Sequence, residues 1–286
     1  MIVVFKDLSK QSAHDYSLVL SSSGIFHRIL DNGFVKQIQV AEDQVVIARR
    51  LIAAYRLENP SLPVDGSHQE DALNRNYSGI YIALVLMTVH MAVINSADPH
   101  AYVQTYSASA RLISGGELYR CITALILHGD VAHLAGNMAG IALFGSVVCS
   151  VTGSGAGWLL ILLSGFFGNF INAWFFQTSH FSIGASTAVF GAVGILTALQ
   201  SISAVKHHSR WKKVFHVIAG GLAVLAILGA GRHSDVTAHL FGFVAGSILG
   251  VVYDLATGRQ LSGTGQVLCG AGAVCILAAS WLKGYF

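Results

Sequence analysis

The chain has 286 residues, 53% of them hydrophobic and only 11% charged, with a formal net charge of +3. Soluble proteins carry about 25% charged residues, so this composition and a mean hydropathy of +0.61 exclude an ordinary soluble domain and predict an all-α polytopic membrane protein. No basic tract interleaved with aromatics is present, which argues against nucleic acid. Cys121, Cys149, Cys269 and Cys275 contain no CxxC pair, so neither a disulfide framework nor a zinc site is expected.

Residues 1–58 form a small soluble α+β unit in the expected order βαββα. Ile2–Phe5 reads as a strand, and Lys6 and Asp7 end its apolar run with no cleavage region after it, so no signal peptide is expected. Gln11–Ser23 has a helical apolar pattern. Ile25–Leu30 and Phe34–Val40 read as strands joined at Asp31-Asn32-Gly33, a strong hairpin signal. Ala41–Leu57 is helical. Residues 59–77 hold Pro60, Pro63 and many polar residues, the composition of a linker.

Seven apolar segments follow, at about 79–95, 133–152, 157–177, 187–205, 213–231, 236–256 and 266–282. Each is near the roughly 20 residues that cross a bilayer. The stretch 96–132 is neither polar enough for a free loop nor apolar enough to span, and reads as an ordered or interfacial segment. Lys206-His207-His208-Ser209-Arg210-Trp211-Lys212-Lys213 is cytoplasmic by the positive-inside rule. Counting back through four spans puts the N-terminal module in the cytoplasm. The starts of the second, fourth and sixth spans then share the outer side.

Those three starts carry polar residues that are costly in lipid unless they serve a purpose. Ser186 follows Gly184 at a helix start, where unpaired N–H groups and the helix dipole favour negative charge. It is either a helix cap or an acyl-transfer nucleophile whose own N–H helps hold an oxyanion. His239 shares a helical face with Gly242, Gly246 and Gly250, a ribbon on which a neighbouring helix packs closely. That face should admit Ala far better than Leu. If the neighbour is the fourth span, His239 reaches Ser186. His133 and Asn137, four apart in the run His128–Asn137, share one face and can both donate hydrogen bonds. They serve either that chemistry or the tying of the loop to the bundle. His90 reads as a histidine bonded within the bundle. No HExxH is present, and Asp130 is not at a recognised ligand spacing, so no metal or cofactor is expected. Asp235, one turn before His239, reads as a solvated loop residue rather than the third member of a triad.

Taken together, Tyr119-Arg120, His128–Asn137, Gly184-x-Ser186 and Ala238-His239-x-x-Gly242-x-x-x-Gly246 resemble the rhomboid family of intramembrane serine proteases, over roughly residues 79–256. The resemblance implies a rhomboid-like bundle of residues 78–256, with residues 257–286 as a seventh, additional transmembrane helix. It implies Ser186 as nucleophile and His239 as general base in a dyad, with His133, Asn137 and the Ser186 N–H lining the oxyanion hole. Gly184, Arg120, Phe190, Gly242 and Gly246 are implied as supporting residues. Tyr119-Arg120 stands where the family often has Trp-Arg, and Phe190 where it often has Tyr, its ring still able to stack on His239. The implied partners are single-pass transmembrane protein substrates and the lipid bilayer. The implied location is a bacterial plasma membrane, since the N-terminal module resembles cytosolic units of some bacterial members. That module has no nucleophile, metal cluster or phosphate loop, so its default role is regulation or binding of a cytosolic partner. The alternative function is a non-catalytic rhomboid-like scaffold that binds membrane helices. Such relatives typically lack the Ser or the His, and this chain keeps both. A small transporter would instead expect charges within spans or helices broken at midplane, and neither is evident.

Overall fold

The computed structural model describes the whole chain except residues 9, 32–35, 60–75, 178–179, 207–215, 217–218, 222, 224–234 and 259. It divides into two compact units, Met1–Ala72 and Leu73–Phe286.

In the first unit, β1 (Ile2–Leu8), α1 (Lys10–Ser22), β2 (His27–Asp31), β3 (Lys36–Val40) and α2 (Val45–Glu58) occur in the expected order. The sheet order is β1-β3-β2, with β3 antiparallel to both neighbours. β1 runs three residues beyond the expected end because the ladder to β3 continues past Lys6 to the Leu8↔Lys36 pair. The hairpin turn lies outside the described residues. Tyr16, Leu20, Ile38, Val40, Ala48 and Ile52 form the core between sheet and helices. Most of the proposed linker lies outside the described residues.

The second unit is helical. Its elements are α3 (Ser78–Ile94), α4 (Pro99–Tyr106), β4 (Ala108–Ser109), α5 (Ala110–Ser114), α6 (Arg120–Thr123), α7 (Val131–Gly140), a π-helical turn (Ile141–Gly145), α8 (Ser146–Thr152), α9 (Ser154–Phe176), β5 (Phe181–Ser182), α10 (Ser186–Lys206), α11 (Val236–Thr257) and α12 (Gly263–Tyr285). Among the described residues, five helices are long and apolar enough to cross a membrane: α7 through α8, α9, α10, α11 and α12. α3 is a shorter apolar helix of 17 residues. Most of the expected span at 213–231 and of the basic run before it lies outside the described residues.

α9 and α12 start three residues earlier than their apolar runs suggest. Apolarity marks where lipid begins, whereas a helix starts at its cap. Ser262 caps α12 by accepting from the Gly265 N–H at 3.3 Å.

The stretch 96–132 is ordered by short elements. Asp98 caps α4, with Pro99 in its first turn. Arg120, buried, donates from Nε to Glu117 at 2.7 Å and from an NH group to the carbonyls of Gln104 and Ser107. β4 then pairs antiparallel with β5, tying this stretch to the loop before α10.

α10 and α11 lie side by side and parallel. A Cβ at Gly242 would fall on the Thr187 carbonyl, one at Gly246 on the Gly191 carbonyl, and one at Gly250 would sit 3.0 Å from the Ile195 oxygen. The constant offset between the partners sets the direction. From the sequence, Gly246 is expected to take Ala far better than Leu; here even the Cβ of Ala meets the Gly191 carbonyl, and backbone cannot turn aside as a side chain does.

Candidate active site

A cavity of about 910 Å³ opens where α7, α10 and α11 begin. Ser186, His239, His133, Asn137, Gly184 and Phe190 all line it. Three helix starts that are remote in sequence thus meet at one place.

Ser186 is the first residue of α10. The helix's first i→i−4 bond runs from the Val189 N–H to the Ala185 carbonyl at 2.9 Å, so Ala185 occupies the cap position. The cap reading of Ser186 is therefore corrected: the capping residue has no side-chain oxygen. The amides of the first turn have no partner within their own helix.

The loop ahead of Ser186 is pinned from below. The Gly184 N–H donates to the Ala124 carbonyl at 2.9 Å, and the Ala110 N–H to the His180 carbonyl at 2.8 Å. Gly184 has φ +126°, a conformation that L side chains rarely adopt. A Cβ there would also lie 2.6 Å from the His133 imidazole and 3.3 Å from Asn137 Nδ2. The glycine lets the histidine and the asparagine come against the backbone that leads into Ser186.

His133 and Asn137 sit one turn apart on α7, whose start is capped by Asp130 accepting from the His133 N–H at 2.8 Å. Asn137 Nδ2 is buried with no hydrogen-bond partner among the described residues. A buried donor without a partner is costly, and this one borders the cavity. His239 is buried on α11, its ring facing the Phe190 ring at 4.5 Å between centroids and 35° between planes.

His128, behind the cavity, has a fixed tautomer. The Ile126 carbonyl can only accept, so Nδ1 donates to it at 3.1 Å. The Ala185 N–H can only donate, so Nε2 accepts from it at 3.4 Å. Burial, with His133 beside it, pushes this imidazole down to about 4. His90 is buried edge-on to it at 6.5 Å.

Arg120 is not among the cavity-lining residues and acts on the 96–132 stretch instead. Gly242 and Gly246 lie on the seam between α10 and α11. The solvated reading of Asp235 is corrected, since all of its bonding capacity toward protein is used. Oδ1 accepts from the Thr237 hydroxyl at 2.7 Å and the Ala238 N–H at 3.1 Å. Oδ2 accepts from Asn172 at 2.8 Å and pairs with His180 at 2.5 Å. Burial raises the Asp235 carboxyl, but these hydrogen bonds outweigh it and hold it below the ordinary range. Sequence reading passes over Asn169, Asn172, His180 and Thr187. Two asparagines inside the apolar α9 were the available signal.

A residue pattern of this kind has known counterparts. A Rhomboid domain model matches residues 115–254. Rhomboid-like protease 3 of Toxoplasma gondii is 30% identical over 179 residues, which cover 61% of this chain and 68% of that protein. The chain belongs to the rhomboid family. Rhomboid protease GluP of Bacillus subtilis (strain 168) is 28% identical over 196 residues, 65% of this chain. RHOMBOID-like protein 4 of Arabidopsis thaliana is 34% identical over 144 residues, 50% of this chain. The chain covers only 37% of the length of GluP and 36% of that of the Arabidopsis protein. With five apolar helices long enough to cross a bilayer among the described residues, this rhomboid is a multi-pass membrane protein. An apolar bundle that gathers a serine, two histidines and an amide donor round one cavity can perform acyl transfer.

Proposed function

We propose that this protein is an intramembrane serine endopeptidase that cleaves single-pass transmembrane proteins with a Ser186–His239 dyad. The observation that carries the reading is the convergence of Ser186, His239, His133 and Asn137 on one cavity. Relatives named as proteases in two distant organisms support it.

In this reading Ser186 Oγ attacks the scissile carbonyl carbon, and His239 accepts the hydroxyl proton. The carbonyl oxygen becomes an oxyanion held by the Ser186 N–H, Asn137 Nδ2 and His133. Collapse breaks the C–N bond, and His239 gives its proton to the leaving amine. Water then attacks the acyl carbon as His239 takes its proton, and collapse breaks the bond to Ser186 Oγ, which His239 reprotonates as the acid product leaves. The unpartnered amide of Asn137 supports this, because an oxyanion would supply the acceptor it lacks. A helix hides its carbonyls in hydrogen bonds, so substrates need small or helix-breaking residues at the cut.

The organisation proposed with it is a module at 1–58, a linker at 59–77, a catalytic core at 78–256 and an added helix at 257–286. In this reading the basic run at 206–213 puts the N-terminus in the cytoplasm by the positive-inside rule, and the resemblance of the N-terminal module to units of some bacterial members gives a bacterial plasma membrane. The test is labelling of purified protein with a fluorophosphonate probe, alongside cleavage of a model single-pass substrate. Wild type should label and cleave, and Ser186→Ala should do neither while folding normally. Cleavage by Ser186→Ala, or an inert but folded wild type, would sink the reading, and the latter would favour a helix-binding scaffold.

A further inference from the structure

Three helices converge at one point beside the cavity. A Cβ at Gly168 of α9 would lie 2.5 Å from the Thr187 methyl on α10, and 2.8 and 2.9 Å from Gly242 Cα and N on α11. Nothing larger than glycine fits there, so α9 lies directly against both helices that carry the dyad.

Asn169 and Asn172 stand next to this point, three apart and so on neighbouring lines of one helical face. Both are buried. Asn169 Oδ1 accepts from the Thr187 hydroxyl at 3.0 Å, and its Nδ2 donates to the Cys121 carbonyl at 3.0 Å. Thr187 is the residue after Ser186. Asn172 Nδ2 donates to Asp235 Oδ2 at 2.8 Å, and Asp235 caps the helix that carries His239 one turn later. One asparagine thus grips the start of α10 and the other the start of α11.

We propose that Asn169 and Asn172 are positioning residues, which set the separation of Ser186 and His239 from a third helix by holding Thr187 and Asp235. The physical case is one of stiffness. α10 and α11 meet along glycines, and a smooth glycine seam resists approach but leaves sliding along the axis weakly opposed. Buried hydrogen bonds have short range and fixed direction, so two of them, one per helix start, resist that sliding. Tying Asn169 also to Cys121 anchors α9 to α6, beneath the loop that leads to Ser186.

This inference rests on the peptidase reading. The measurement is kcat and KM for a model single-pass substrate, per site titrated with a fluorophosphonate. The proteins are wild type, Asn169→Ala, Asn172→Ala, Thr187→Val and the Asn169→Ala/Thr187→Val double variant. Thr152→Val is the control, since its hydroxyl is also buried but bonds locally, to the carbonyls of Val148 and Gly153. Loss of positioning should lower kcat about 10- to 100-fold, with KM within about twofold. The double variant should be no slower than its slower parent, because both changes remove one bond. Thr152→Val should keep its kcat. If Asn169→Ala does not accumulate, Thr187→Val tests the same bond from the other side.

Wild-type kcat per titrated site in Asn172→Ala and in either Asn169→Ala or Thr187→Val would overturn the inference, as would a fall in Thr152→Val equal to theirs. An inert wild type would instead overturn the peptidase reading, so the two failures are distinct.

Discussion

Asn137 Nδ2 is buried without a hydrogen-bond partner among the described residues and lies against Gly184. If it stabilises an oxyanion, Asn137→Ala should lower kcat by about 10²-fold or somewhat more, as removal of one such donor does elsewhere. His239→Ala should cost more, since in the proposed mechanism it removes the base from both half-reactions. An unchanged kcat in Asn137→Ala would make the residue structural. His128 bears on pH rather than on the chemistry. Its folded value is about 4 against an ordinary 6.5, so the unfolded chain binds the extra proton between those values. The stabilisation is complete above pH 6.5 and is lost as pH falls toward 4. At about 1.4 kcal/mol per unit the loss is roughly 3 kcal/mol. The thermal midpoint in detergent should fall across that window, and His128→Gln should flatten the fall. A midpoint equally pH-dependent in both proteins would assign the effect elsewhere.

At the scale of elements, the seam between α10 and α11 decides whether the proposed Ser186–His239 dyad can meet. Gly246 faces the Gly191 backbone, whereas a Cβ at Gly250 would be 3.0 Å from both the Ala198 methyl and the Ile195 oxygen. Gly246→Ala should therefore cut kcat about 10²-fold by displacing α11 by about 1 Å. Gly250→Ala should lose far less, because a shift of a few tenths of an ångström relieves it. Equal activity of the two variants in a cleavage assay would show that the seam does not set the site. The π-helical turn at Ile141–Gly145 belongs to the same scale. Turns of this kind often occur at functional sites, and here it carries Leu143 and Phe144 into the cavity wall.

Across the membrane unit, α12 is held at both ends. Gln266 accepts from the Ala156 N–H at 2.9 Å and donates to the Thr152 carbonyl at 2.7 Å. One side chain thereby satisfies a free amide at the start of α9 and joins the Tyr253 hydroxyl in donating to the last carbonyl of α8. Toward the other end, Trp281 stacks on Tyr106 at 4.4 Å. Gln266→Ala should destabilise the protein by about 1–3 kcal/mol, the cost of leaving the Ala156 N–H unsatisfied, while the Thr152 carbonyl keeps the Tyr253 hydroxyl. A thermal midpoint equal to wild type would show that α12 docks without this bridge. Gln266 is not among the residues that line the cavity, so activity at low temperature should persist in the variant.

The sequence by itself determined the membrane class, the order of elements in the N-terminal unit, and the helix starts that carry Ser186, His239 and His133. Hydrophobicity and cap chemistry are local, so they can be read along the chain. The Gly-x-Ser and the glycine-spaced histidine stood out because polar and small residues are conspicuous in apolar runs. Only the tertiary structure decided what Asp235 does, that Ala185 and not Ser186 occupies the cap, and that α9 grips both other helices through Asn169 and Asn172. These depend on which backbone atom lies opposite a side chain. Asp235 meets His180 and Asn172 across 55 and 63 residues, and Gly246 meets a carbonyl rather than open space. Hydrogen-bond direction and sub-ångström clearance are properties of packed helices, and no pattern in one strip of sequence encodes them.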